Sequence, residues 1–358
     1  MRILQIFPHN YSENIRWGGL LMYVRSISER LAKNHDVTVY ATDSGNFSSF
    51  EVINGVKVYR FSRIAPHYSY FFSLGMILKI RKSDFDVIHG HCYQSFPVHF
   101  STLAKRKKFI FSSHFHGVGH SPFRNSLLKV GKRVGEKTLK TADRVIAVSK
   151  FEKNLLCKRF NVNPNKVTVI PCGVNFSEFR SLKRNNHNGR SILFVGRLEG
   201  YKGAQHLIGA LSMLDDDFKL EIVGNGEMKS LMQSQMLKLN LQDRVAFYDN
   251  ILRQDLLQKF VDADVFVLPS MYEAYSMVVA EAITAGTPCI VADTSALSEW
   301  IDNKSCFGIK LPINLKTLSS MIEEVSTLKK SNYNMYPYNE KIRDWNSVVK
   351  QLECIYEN

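Results

Sequence analysis

The stretch VFVLPSMYEAYSMVVAEAITAGTPCIVAD, residues 265–293, decides the fold. It opens on VFVLPS, a short unbroken apolar run closed by Pro269 and Ser270. Such a run reads as a strand buried on both faces. A helix is expected from near Ser276, a residue type suited to capping, to Ala285. Gly286 then supplies the stop and Pro288 bars continuation. PCIVAD is a second buried strand. Strand, helix and strand in this order specify a parallel sheet covered by helices. Glu273 falls in the loop after the first strand and Glu281 inside the helix. The helix start between them offers backbone N–H groups that favour a phosphate. Carboxylates on either side accept hydrogen bonds from hydroxyls, so a sugar joined to a diphosphate presents matching groups. Taken alone, two surface charges on a solvated helix explain the pattern as well.

The same alternation extends in both directions. SILFVGR, FKLEIVG and RVAFYD read as strands upstream, with a helix through QHLIGALSML. In the first half, RILQIFP, DVTVYAT, FDVIHGH, KFIFSSH, DRVIAVS and KVTVIPCGV read as strands. GLLMYVRSISERLAKN has helical spacing at Leu20, Val24, Ile27 and Leu31. The polar stretch between the two series is a candidate linker. The expectation is an α/β protein of two Rossmann-like parallel-sheet domains facing a cleft. Their boundaries are 1–175, a linker at 176–190, a second domain at 191–339, and a C-terminal helix at 340–358. Trp345, Val348, Val349 and Leu352 carry the spacing of that helix. Ligands of open parallel sheets bind beyond the carboxyl ends of strands, which is where chemistry is expected.

A chain of 358 residues suits two domains. Its six cysteines form no C-x-x-C and read as reduced, mostly buried thiols. No metal site is expected. No apolar run approaches the ~18 residues that span a bilayer, and MRILQIFPHN is too short for a signal peptide. The expectation is a cytoplasmic protein. Charge is uneven: residues 1–175 hold 27 Lys and Arg against 10 Asp and Glu, and the remainder 20 against 23. The first half is therefore suited to an anionic partner.

Three further stretches can carry chemistry. FVGRLEGYKG places Arg197 and Lys202 after a strand, where two cations suit a diphosphate leaving group. NIRWGGLLMY opens a helix on Gly18 and Gly19, whose amides can approach a phosphate. It lacks the G-x-G-x-x-G pattern of a dinucleotide site. FSSHFHGVGH follows a strand with three histidines, of which His114 or His116 can touch a substrate. VIHGH adds a second pair at another strand end, where satisfied structural histidines are the commoner case.

Together these stretches resemble the retaining, nucleotide-sugar-dependent glycosyltransferases of group 1, or family 4. The E-x7-E motif is Glu273 and Glu281; V-G-R-L…K-G is Val195 to Leu198 with Lys202 and Gly203. Gly18-Gly19, ADRVIAVSKFE and VIPCGVNFSEF follow the family's order. The resemblance implies a GT-B fold, with a nucleoside-diphosphate sugar as co-substrate and no metal or other cofactor. It implies that Arg197 and Lys202 hold the diphosphate, Glu281 the ribose and Glu273 the transferred sugar. Gly19 would meet the diphosphate, and Ser276, Met277 and Val278 would lie along the donor. His114 would lie near the anomeric centre. Tyr275-Ser276 stands where the family has Phe-Gly, Cys172 and Asn175 replace its usual asparagine and aspartate, and DTSALSEW lacks its glycine pair before Glu299.

The implied reaction transfers a sugar to a glycan or lipid-linked acceptor, in surface polysaccharide or glycolipid synthesis. A sugar-nucleotide epimerase on the same fold, or a non-catalytic binding protein, is the alternative. No nucleic-acid module is visible. For the basic half, KRKK at 105–108 and a helix over 121–140 suit the inner face of an anionic membrane. In that helix Phe123, Leu127, Val130 and Val134 are expected on an apolar face. Arg124, Lys129, Lys132, Arg133 and Lys140 occupy the remainder. Ser121 is its expected cap.

Overall fold

The computed structural model describes residues 1–11, 18–43, 48–67, 70–119, 122–185, 188–328 and 341–358. The chain forms two compact units, Met1–Gly173 with Arg343–Asn358, and Val174–Ile342. Both are α/β units built on mainly parallel sheets.

The first unit orders its strands Val167–Val169, Arg144–Ala147, Lys105–Ser112, Asp84–His91, Arg2–Ile6, Asp36–Asp43, Val56–Ser62 and Phe50–Ile53. All neighbours are parallel except the last two. That antiparallel edge was not expected from the sequence. It turns on Asn54-Gly55, both at positive φ, 48° and 82°, a pairing that matches the twist of a tight hairpin. Helix Gly19–Leu31 buries Leu21, Tyr23, Val24, Ile27, Ser28 and Leu31. Leu20 is half-buried, so the apolar face is centred one residue later than its spacing suggested.

Helix Trp345–Glu357 clusters with this unit. Asp344 caps it by accepting from Asn346 N–H at 2.7 Å. Lys108 Nζ donates to the carbonyls of Ile355 and Tyr356 at its other end, 3.2 and 3.1 Å. That geometry complements the negative pole of the helix.

The second unit has six parallel strands in the order Val245–Tyr248, Phe218–Val223, Arg190–Val195, Val265–Leu268, Cys289–Ala292 and Cys306–Ile309. All four residues of Val265–Leu268 are fully buried, which is why that segment carries no alternation. Helix Met277–Thr284 follows, with Gly286 at φ 75°. Residues 174–179 cluster here too: Phe176–Glu178 form a 3-10 turn and Phe179 is buried. Strand Cys306–Ile309 and helix Leu315–Ser326 complete the unit and were not read from the sequence.

One expectation for the basic half is corrected. Helix Pro122–Thr141 buries Leu128, Gly135, Thr138 and Leu139, whereas Val134 is 43% exposed and lies outward with the lysines. A Cβ on Gly135 would come within 2.2 Å of the Tyr93 hydroxyl, so close packing sets the inner face. His120, Ser121 and the side chains of Phe123, Arg124, Leu127 and Val130 lie outside the description. KRKK opens strand Lys105–Ser112, with Lys105 and Lys107 exposed. Lys105 and Lys107 pair with Asp84 and Asp86 at 3.8 and 3.1 Å, and Arg106 donates to the Thr102 and Ala104 carbonyls. All six cysteines are free, three of them buried.

Candidate functional site

In the second unit, Arg190–Val195 lies between Phe218–Val223 and Val265–Leu268. The chain leaves its first and fourth strands there in opposite directions across the sheet. A crevice opens at such a switch point, beyond the carboxyl ends. Arg197 and Lys202 follow the first of these strands, and Glu273 follows the fourth. Lys202 Nζ and Glu273 Oε1 stand 2.6 Å apart, each side chain 14% exposed. Burial works against the Lys202 charge, but Glu273 more than offsets it and holds the ammonium above its ordinary pKa. Gly203, at φ 75°, is fixed by this approach: a Cβ there would meet the Pro269 carbonyl oxygen at 2.5 Å.

Arg197 donates to Glu199 Oε1 at 2.8 Å and to the Tyr201 hydroxyl at 2.6 Å. The Tyr201 ring lies near both cations, with centroid distances of 5.9 Å to the Arg197 guanidinium and 5.4 Å to Lys202 Nζ. Glu273 is held through its backbone. Its N–H donates to Ser295 Oγ at 3.0 Å, and its carbonyl accepts from Ala296 N–H at 3.3 Å. Ser295 sits at φ 51°, in the segment that lacks the glycine pair. Sequence reasoning missed Tyr201 and Ser295, though both adjoin the motifs.

The capping expectation for Ser276 is overturned. Ser276 occupies the cap position at φ 79° and ψ 85°, and its side chain makes no cap hydrogen bond. A residue with β-region backbone angles turns its oxygen onto the first helical amides; the left-handed geometry does not. Ser276 Oγ is buried with no hydrogen-bond partner. The first amides of the helix, at Met277 and Val278, thus lack that cap. Tyr275 fills the core instead. Its hydroxyl donates to the Lys341 carbonyl at 2.6 Å, and its carbonyl accepts from Trp300 Nε1 at 2.7 Å.

Glu281 lies one turn into the helix, 7% exposed in its side chain and 2.6 Å from Arg253. Arg253 also donates to Glu178 at 2.8 Å. The two carboxylates hold its guanidinium above the ordinary arginine pKa despite burial. Neither Arg253 nor Glu178 was singled out from the sequence.

In the first unit, Gly18 sits at φ 146° before helix Gly19–Leu31, a conformation that excludes most side chains. Asn14 to Trp17 lie outside the description. His114 sits at φ 48° and is half-buried. Its ring meets Tyr23 edge-on, centroids 4.8 Å apart, and His91 at 6.0 Å. Its Nε2 is buried without a hydrogen-bond partner. Burial pushes its pKa down to about 3. His116 instead stacks on Phe115. The VIHGH pair is built into the core: His89 bonds Tyr356 and Ser112 at 2.6 and 2.7 Å, and His91 bonds Gln5 at 2.6 Å. Among the described residues, no group of three or more His, Cys, Asp or Glu could hold a metal.

A model of glycosyltransferase family 4 matches residues 17–178, and one of glycosyl transferases group 1 matches 175–342. An uncharacterized glycosyltransferase of Methanocaldococcus jannaschii is 28% identical, over 95% of this chain and 94% of its own. An Escherichia coli UDP-Gal:alpha-D-GlcNAc-diphosphoundecaprenol alpha-1,3-galactosyltransferase is 25% identical over 77% of this chain and 75% of its own. The solved sucrose-phosphate synthase of Thermosynechococcus elongatus shares the fold, with a TM-score of 0.80 and 19% identity. That match covers 99% of this chain and 98% of the synthase chain.

Proposed function

The chain belongs to the group 1 glycosyltransferases, and within that family we propose that it transfers a hexose from a nucleoside-diphosphate sugar to a glycan or lipid-linked acceptor, with retained anomeric configuration. The observation that carries this reading is the Lys202–Glu273 pair at the switch point of one sheet, with the buried, unpartnered Ser276 hydroxyl three residues further along the chain. Arg197 and Lys202 take the diphosphate, and the Ser276 hydroxyl and the Met277 and Val278 amides complete its cradle. Glu281 takes the ribose and Glu273 a hydroxyl of the transferred sugar. Gly18 and Gly19 supply a further amide, and His114 is assigned to the anomeric centre.

Negative charge builds on the leaving phosphate oxygen as the glycosidic bond breaks. Two cations and fixed amides stabilise it where it develops. They supply the charge compensation without a metal, so turnover is expected to survive EDTA.

The E. coli relative's diphosphoundecaprenol acceptor supports a lipid-linked acceptor here, and with it a place at the inner face of an anionic membrane, in surface polysaccharide or glycolipid synthesis. So do Lys132, Arg133, Lys137 and Lys140, which lie outward with Val134 on one helix. No helix among the described residues is long and apolar enough to cross a membrane; attachment through such charges would be peripheral.

The deciding experiment measures nucleoside diphosphate release from UDP- and GDP-sugars, with and without lipid-linked acceptors. NMR of the product then reads its anomeric configuration. Donor isomerised without nucleotide release would replace the reading with epimerisation, and an inverted product would remove retention alone.

A further inference from the structure

The mechanism above leaves one fully buried carboxylate of the first unit unused. Glu152 is 0% exposed and lies in the first turn of helix Lys150–Phe160. A glutamate there commonly reaches back to the helix start, and part of Glu152 does: Oε2 accepts from Val148 N–H at 2.7 Å, and its own N–H donates to the Ser149 hydroxyl at 3.0 Å. Its other oxygen faces away from the helix. Oε1 accepts from the Ser113 hydroxyl and from Phe115 N–H, the latter at 2.6 Å. Both partners flank His114. The one residue between these two anchors is the one at φ 48°.

A β-carbon at that φ is disfavoured by about 1–2 kcal/mol, so an untethered loop would relax away from it. A buried hydrogen bond is worth about 0.5–1.5 kcal/mol net, enough for two of them to hold the conformation. Helix capping needs only Val148 and Ser149. The two contacts to Ser113 and Phe115 add nothing to the cap and fix only the loop.

We infer that Glu152 is a positioning residue for transfer, clamping Ser113 and Phe115 so that the strained His114 between them presents its ring in one orientation. The inference rests on the assignment of His114 to the anomeric centre. Glu152 touches no substrate in this account and acts through His114 alone.

Four variants of the full chain test it: Glu152→Ala, Glu152→Gln, His114→Ala and the Glu152→Ala/His114→Ala double. UDP release from UDP-glucose and UDP-galactose gives kcat, calorimetry gives the Kd of UDP, and hydrogen exchange reads the amides of 113–116. Glu152→Ala is expected to speed loop exchange and to lower kcat by roughly 100-fold, the scale of a misplaced catalytic group. The Kd of UDP should stay unchanged, because Glu152 bonds none of the groups assigned to UDP: Arg197, Lys202, Glu281 or the Gly18 and Gly19 amides. Glu152→Gln should recover most of the loss, since its amide oxygen can still accept from both Ser113 and Phe115. The double variant should be no worse than His114→Ala.

Loop exchange unchanged in Glu152→Ala would overturn the clamp. So would a parallel loss of UDP affinity, equal defects in Ala and Gln, or additive losses in the double variant. Normal turnover in His114→Ala would remove the His114 assignment together with the inference. An impaired His114→Ala beside a normal Glu152→Ala would remove the inference alone.

Discussion

Replacing Ser276 by glycine should make the protein more stable and a poorer binder of nucleoside diphosphate. Ser276 sits at φ 79° with its hydroxyl buried and without a partner. The left-handed backbone costs a residue with a β-carbon about 1–2 kcal/mol. The unsatisfied hydroxyl costs about 1–3 kcal/mol more. Glycine relieves both, and gives back roughly 0.5–1 kcal/mol through the greater freedom of the unfolded chain. The net gain is about 1–4 kcal/mol. For a unit of this size that raises Tm by roughly 8 °C at the middle of that range, at about 2–4 °C per kcal/mol. If the hydroxyl donates to the diphosphate, its loss removes a hydrogen bond to a charged group and weakens UDP about 10-fold or more. Ser276→Ala separates the parts. It keeps the backbone strain, so its Tm gain should be smaller, with the same loss of affinity. Scanning calorimetry and UDP titration read both quantities. A lower Tm in Ser276→Gly would refute the strain argument. Unchanged UDP affinity in both variants would refute the assignment of the hydroxyl to the donor.

Four other outcomes are expected. Arg197→Ala and Lys202→Ala should each lower kcat/KM by at least ~100-fold, as loss of a transition-state charge partner does; near-normal turnover in both would end the diphosphate assignment. Glu281→Ala should weaken UDP itself, while Glu273→Gln should spare UDP and impair transfer; equal loss of UDP affinity in calorimetry would contradict the division. The first unit should lose stability on acidification, because burial lowers His89 and His114 to about 3 and His99 to about 4. The unfolded chain then binds more protons below about pH 6.5, so each histidine costs about 2 kcal/mol by pH 5, and the loss deepens towards the folded values. Glu152, raised to about 7 by burial, opposes this between pH 7 and 4.5; a unit-1 melting temperature that rises from pH 6 to 4 would be inconsistent with neutral buried histidines. Finally, the protein should co-sediment with anionic but not neutral vesicles, and release in high salt; equal pelleting with both lipids would remove the membrane proposal and leave the transferase one.

Much of the fold was legible because a parallel strand buried on both faces leaves an unbroken apolar run, as Val265–Leu268 and Ile192 to Val195 do. The edge elements were not. Phe50–Ile53 is exposed at three of its four positions, and no apolar run marks it; only Asn54-Gly55 announced the hairpin. The face of helix Pro122–Thr141 was misread because glycine and threonine line its inner side. Gly135 and Thr138 pack closely for want of bulk, while Val134 is left outside. In the site, Lys202 and Glu273 could be placed from motif order. Their 2.6 Å pairing depends on which strands become neighbours, and no local pattern carries that. Ser276 looked like a cap because serine usually is one; only the backbone angle shows otherwise.

The charges of the second unit's site already have partners, and this bears on how a donor would enter. Lys202 holds Glu273, Arg197 holds Glu199, and Arg253 lies between Glu178 and Glu281. A diphosphate arriving here exchanges partners rather than meeting bare cations. Arg197 is the accessible one, 53% exposed against 14% for Lys202. Its guanidinium has further N–H groups to offer, so it can meet the incoming phosphates while keeping the buried Glu199. Lys202 can follow only by releasing Glu273, and a buried carboxylate left alone is costly. The sugar hydroxyls offer that carboxylate a replacement at the same moment. A bare nucleoside diphosphate does not, so on the proposed reading it should gain less from Lys202 than the intact sugar nucleotide does. Lys202 and Glu273 would then be spent together, on a ligand that carries both a phosphate and a sugar.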